Sequence, residues 1–214
     1  MNLLSKLFKS NNDNASTPVD LKRALYNEDS IYFAVIDTET TWSDEVMSIG
    51  LVIADASTNR SIAGQYYIIS PTYRKGGMYS GVLNILKTQN TITDSRKNVI
   101  ADIKNLLSEY HVEKILAYNA KFDFNHLPEL RNYDWCDIMR LAAYRQYNPH
   151  IPSRIKCCKT GRIKKGYGVE PIYQVLSGDR KYREIHNAFT DAVDELKIVE
   201  MLGHDISTYE IGLI

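Results

Sequence analysis

The chain has 214 residues, enough for one domain with a substantial buried core, and its 26 basic residues balance its 26 acidic ones. A neutral chain has no global field to draw in polyanions, so nucleic-acid binding would have to come from a local basic patch or from bound metal. Three cysteines, two adjacent as Cys157-Cys158, make a poor disulfide framework and are too few for a four-cysteine zinc site. Cys136, this pair and His150 could supply four ligands, but neighbouring cysteines rarely chelate one ion. The expectation is reduced thiols in a cytoplasmic protein.

Met1 to Lys9 places Leu3, Leu4, Leu7 and Phe8 around Lys6, a run too short and broken for a signal peptide or membrane span. Ser10 to Pro18 has linker composition. Residues 1–20 are therefore read as tail and linker, and 21–214 as a single domain. The apolar, β-branched run from Ile31 ends in acids at Asp37-Thr38-Glu39-Thr40 and predicts a buried strand. Residues two apart on a strand share a face about 6 to 7 Å apart, so Asp37 and Glu39 can address one site. Val46 to Ala54 and Ser61 to Ser70 predict two more strands and an antiparallel meander.

Pro71 to Thr93, with Gly76-Gly77, Gly81 and many polar residues, reads as loop with room for one short helix. Val99, Ile100, Ile103, Leu106 and Leu107 then recur at helical spacing between Ser95 and Tyr110. Short strands are predicted at Ile115 to Tyr118 and Tyr133 to Cys136. Helices are predicted at Lys121 to Arg131, Asp137 to Tyr147, Glu170 to Leu176 and Ala188 to Leu202, the last stopped by Gly203. A meander followed by alternating helices and short strands predicts a mixed five-stranded α/β sheet. Its two later strands should run parallel to the first, with helices on both faces.

Two further acidic motifs follow the first. In Tyr118-Asn119-Ala120-Lys121-Phe122-Asp123, the acid falls in the first turn of a helix, where the dipole alone would favour it. In His186-Asn187-Ala188-Phe189-Thr190-Asp191, Asp191 sits at the edge of an apolar stripe and His186 just ahead of the helix. Asp194 and Glu195, three and four residues further on, are read as a solvated face in preference to a layer backing the metal-binding acids.

The order Asp37-x-Glu39, Asn119-x-x-x-Asp123, His186-x-Ala188-x-x-Asp191 resembles the DEDDh family of 3′-to-5′ exonucleases, the type of the proofreading subunit of bacterial replicative DNA polymerase. The likeness covers roughly residues 30–205. It implies a ribonuclease H-like fold and two Mg²⁺ or Mn²⁺ ions held by Asp37, Glu39, Asp123 and Asp191. Hard divalent cations prefer such oxygen ligands, and a pair of them can stabilise both the attacking and the leaving oxygen of a phosphodiester. It further implies His186 as general base, since a neutral imidazole near pH 7 can take the proton from water. Substrate contacts are expected at Thr38, Thr40, Trp42 and Asn119. Trp42 stands where the family often has glycine, so its ring could pack beside the 3′ nucleotide or cover the core.

Between Ile151 and Val169 lies an acid-free segment with Arg154, Lys156, Lys159, Arg162, Lys164 and Lys165 interleaved with Gly161, Gly166, Tyr167 and Gly168. Such a loop suits a phosphate backbone and a stacked base, with Arg162, Lys164 and Lys165 as contacts and Arg180, Lys181 and Arg183 as an extension. The expected activity is release of nucleoside monophosphates from the 3′ end of single-stranded DNA. RNA hydrolysis and a catalytically silent binding module are the rivals. The amphipathic start leaves room for a polymerase or repair partner, and no membrane partner is expected.

Overall fold

The computed structural model describes residues 27, 30–84 and 91–214. The expected N-terminal tail therefore lies outside the described residues. Three long strands come first: β1 (Tyr32–Thr40), β2 (Val46–Asp55) and β3 (Arg60–Ile69). β4 (Thr91–Asp94), α1 (Arg96–Glu109), β5 (Lys114–Ala117), α2 (Lys121–His126), β6 (Asp134–Asp137) and α3 (Met139–Ala142) follow. α4 (Val169–Ser177) and α5 (Ala188–Leu202) complete the set.

The strands form one sheet in the order β4-β3-β2-β1-β5-β6. The antiparallel meander and the parallel placement of β5 and β6 agree with the sequence reading. Among the described residues the sheet has six strands rather than five, because β4, in the stretch read as loop, pairs parallel to the outer edge of β3.

Side chains alternate across β1 and split the core in two. Tyr32, Ala34 and Ile36 pack on the α1 side with Val99, Ile103 and Leu107. Phe33 and Val35 pack on the other side with Ala188, Ala192 and Leu196 of α5. Asp37 and Glu39 continue the face of Phe33 and Val35, and so emerge under α5. Helices cover both faces, as expected.

Local chemistry sets the helix ends. Ser95 caps α1 by accepting the Asn98 N–H, and Asn187 caps α5 by accepting those of Phe189 and Thr190. α2 is shorter than expected because Pro128 opens a separate 3₁₀ turn, Pro128–Leu130. α3 stops at Ala142, whose carbonyl accepts the Asn148 side-chain amide at 2.7 Å. No helix among the described residues is long and apolar enough to cross a membrane.

Candidate active site

Three elements bring the acidic motifs to one cleft of about 400 Å³ at the end of β1. Asp37, Thr38, Glu39, Thr40 and Trp42 come from β1 and the turn after it. Asn119 and Asp123 come from the start of α2, and His186 and Asp191 from the start of α5.

α5 reaches β1 because β2 lets it. Asp37 pairs with Gly50 in the antiparallel register, and α5 lies directly on that glycine. The ligand atoms of Glu39, His186 and Asp191 thereby fall within 4.8 Å of one another.

Asp123 approaches from the opposite layer and is fixed by Thr38, the residue between the two β1 acids. Thr38 donates its N–H (3.0 Å) and its hydroxyl (2.7 Å) to the same Asp123 carboxylate oxygen. The Thr38 side chain, expected to meet substrate, lines the cleft and also orients an acid. The turn carrying Asn119 has φ +61°, a conformation asparagine tolerates, and its N–H is held by the Asp137 carboxylate at 2.9 Å.

Burial and mutual repulsion dominate the electrostatics. Desolvation, then the charges of Asp123, Glu195, Asp191 and Glu39, hold the Asp37 carboxyl well above the usual carboxylate range. Burial is likewise the main cause that pushes Glu39 and Asp191 up to about 8. Asp123 rises to about 7, its desolvation outweighing the hydrogen bonds from Thr38. Burial lowers the His186 pKa, which favours the neutral imidazole.

The donor set fits a hard divalent cation. Asp37 keeps some exposed surface, yet its Oδ2 is buried and, among the described residues, accepts no hydrogen bond. An unpartnered carboxylate oxygen among repelling acids is a group that a cation would satisfy.

Asp194 and Glu195, read as a solvated face, are instead buried, at 7% and 2% exposure. The Glu195 carboxylate accepts the Tyr118 N–H at 3.0 Å, and Asp194 accepts the Tyr182 hydroxyl at 2.5 Å. Glu195 backs the site, the reading placed second to a solvated face on sequence alone. Its spacing of four from Asp191 puts both on one helix face and was the available signal. Glu184 and Tyr79 also line the cleft without having been singled out. Exposed apolar side chains stand on the rim, where Trp42, Met78 and Phe122 are 71%, 66% and 40% exposed.

Arg162, Lys164 and Lys165 do not line the cleft. Their loop adjoins it through Tyr118, a lining residue whose hydroxyl donates to the Tyr167 carbonyl at 2.5 Å. The Arg162 guanidinium lies over the Tyr167 ring, 4.6 Å from its centroid.

The architecture is the ribonuclease H-like fold of DEDDh nuclease domains. The chain resembles the nuclease domain of 3′hExo, a DEDDh family member bound to rAMP, with a TM-score of 0.57 and 12% identity over 88% of this chain and 98% of that one. It also resembles a 3′-exonuclease in a structure of 3′-end-specific recognition of histone mRNA stem-loop, with a TM-score of 0.56, 15% identity and coverage of 86% and 68%. E. coli Exonuclease I in complex with a 5cy-dT13 oligonucleotide matches with a TM-score of 0.56 and 14% identity over 84% of this chain and 42% of that one. No protein-family model and no curated protein matches the sequence.

Proposed function

We propose that the protein is a metal-dependent 3′-to-5′ exonuclease that releases nucleoside 5′-monophosphates, with single-stranded DNA as the first substrate to test. The observation that carries this reading is the convergence of Asp37, Glu39, Asp123, Asp191 and His186 in one cleft, with the buried Asp37 Oδ2 unpartnered among the described residues. The likeness in fold to structures holding rAMP, a stem-loop RNA and a DNA oligonucleotide supports a nucleic-acid substrate and keeps RNA as the second reading.

The four acids would hold Mg²⁺ or Mn²⁺, two ions in this reading. Such cations, when bound, supply the positive charge that draws the scissile phosphate into an acidic cleft and offsets charge on the attacking and leaving oxygens. Thr38 orients Asp123 for that task. Neutral His186 accepts the proton of the attacking water on the side of Glu39 and Asp191. Trp42, Met78 and Phe122 offer an apolar surface to the terminal base, and Thr40 and Asn119 line the cleft beside it. The loop with Arg162, Lys164 and Lys165 attracts the strand further from its 3′ end.

The test is incubation with 3′-labelled single-stranded DNA and RNA oligonucleotides in Mg²⁺, Mn²⁺ or chelator. Metal-dependent release of labelled mononucleotide is expected, and the relative rates assign the sugar. Binding without hydrolysis by either substrate, in either metal, would identify a silent binding module instead.

A further inference from the structure

A general base must hold its nitrogen in one direction, and little in the chain around His186 does this. The residues from 178 to 187 have no helix or strand, and His186 itself has φ +60°. Among the described residues no hydrogen bond reaches its imidazole. What meets the ring is Tyr79, stacked on it with centroids 4.1 Å apart and planes inclined by 17°.

Tyr79 belongs to the β3–β4 connection, which is tied to the site on either side of it. On one side the Trp42 N–H donates to the Gly76 carbonyl at 3.2 Å. Gly77 lies so near Thr40 that a Cβ there would be 2.4 Å from the Thr40 carbonyl oxygen. On the other side Asn187, next to His186, donates its side-chain amide to the Val82 carbonyl (3.2 Å) and the Tyr66 hydroxyl (3.0 Å). The described part of this connection therefore grips β1 just after its acids and the backbone that carries the histidine.

We infer that Tyr79 is a positioning residue, whose ring holds the His186 imidazole facing Glu39 and Asp191. This rests on the exonuclease reading above. A ring stacked at this distance removes the rotational freedom that an unbonded imidazole would otherwise keep, and misplacement by about 1 Å can cost about 10² in rate. Tyr79 also lines the cleft, so a plain contact with a nucleobase is the competing role. The two separate kinetically: a base contact raises KM, whereas positioning the proton acceptor lowers kcat.

The test compares Tyr79→Leu, Tyr79→Phe, His186→Ala and the Tyr79→Leu/His186→Ala double variant. Tyr79→Leu should lower kcat about 10- to 100-fold with KM within about twofold, and Tyr79→Phe should recover most of that loss. The double variant should be no slower than His186→Ala alone, because Tyr79 acts through the histidine. A readout independent of turnover is the His186 ring C–H resonance, assigned by its loss in His186→Ala. Tyr79→Leu should shift it downfield by removing the ring current of the stacked tyrosine. Wild-type kcat in Tyr79→Leu, a raised KM with unchanged kcat, multiplying losses in the double variant, or an unmoved resonance would each overturn the inference. If the wild-type protein hydrolyses no oligonucleotide, the functional reading fails and takes the inference with it. An active wild type with an indifferent Tyr79→Leu sinks the inference alone.

Discussion

Gly50 and Ala188 touch backbone to backbone: a Cβ built on Gly50 would lie 2.0 Å from the Ala188 carbonyl oxygen. Glycine is required there because β2 and α5 meet without an intervening side chain, which seats Asp191 over the strand that carries Asp37 and Glu39. Gly50→Ala should destabilise the fold by about 1–3 kcal/mol or more, since a carbonyl cannot yield as a side chain can. It should also depress turnover in whatever fraction stays folded. Thermal denaturation and kcat of the soluble variant check both, and a neutral Gly50→Ala would mean that α5 can be seated elsewhere.

The raised acids predict an unusual pH dependence of stability. Glu39 and Asp191 near 8 and Asp123 near 7, against ordinary values of 3.8 to 4.5, mean that the metal-free native state holds more protons than the unfolded chain across that window. Stability must then fall as pH rises from about 4.5 to 8. Tm of chelator-treated protein should drop over this range, and Mg²⁺ or Mn²⁺ should restore it at pH 8. Asp37→Asn should raise the metal-free Tm at pH 8 while abolishing hydrolysis. A pH-independent Tm would contradict the mutual repulsion of these carboxylates.

His186 carries the next prediction. Burial lowers its pKa, so the acid limb of the kcat profile should fall below the 6.5 of an ordinary histidine and level off above it. His186→Ala should lose about 10² to 10⁴ in kcat. Mn²⁺ affinity, measured by titration calorimetry, should hold. If affinity collapses instead, the closeness of His186 to Glu39 and Asp191 reflects a metal ligand rather than a base.

Thr38→Val removes one of the two donors to Asp123 at nearly constant volume. The N–H remains, so the acid should keep its general place but lose its fixed orientation. A fall in kcat of about tenfold, the equivalent of about 1.4 kcal/mol, is expected with little change in Tm. An inert Thr38→Val would show that the backbone N–H alone suffices.

The basic loop lies beyond the cleft, so its contribution should depend on substrate length. Neutralising Arg162, Lys164 and Lys165 together should raise KM for long oligonucleotides and flatten its salt dependence, yet spare a dinucleotide. Equal effects on both lengths would place these residues at the reacting end.

Much of this was written in the local pattern. β1 announced itself by an unbroken apolar run that ends in alternating acids, and α5 by its small apolar stripe between Asn187 and Gly203. The features that escaped depend on distant chain. β4 is only four residues long and finds its place at the edge of β3, amid a polar, glycine-containing stretch. α3 is cut short by an amide six residues downstream. Asp194 and Glu195 looked solvated because, although the spacing of four puts Glu195 on the face of Asp191, nothing local reveals that Tyr182 folds over Asp194 or that the end of β5 presents a backbone N–H to Glu195. Tyr79 meets His186 across more than a hundred residues of sequence, and no spacing could have paired them.

The reliance on α5 also governs when the centre comes into being. A chain made only as far as β6 possesses Asp37, Glu39 and Asp123 but neither Asp191 nor His186. During synthesis the cleft stays incomplete until α5 emerges and settles on Gly50, so the acidic centre cannot assemble before residues 188–202 are made.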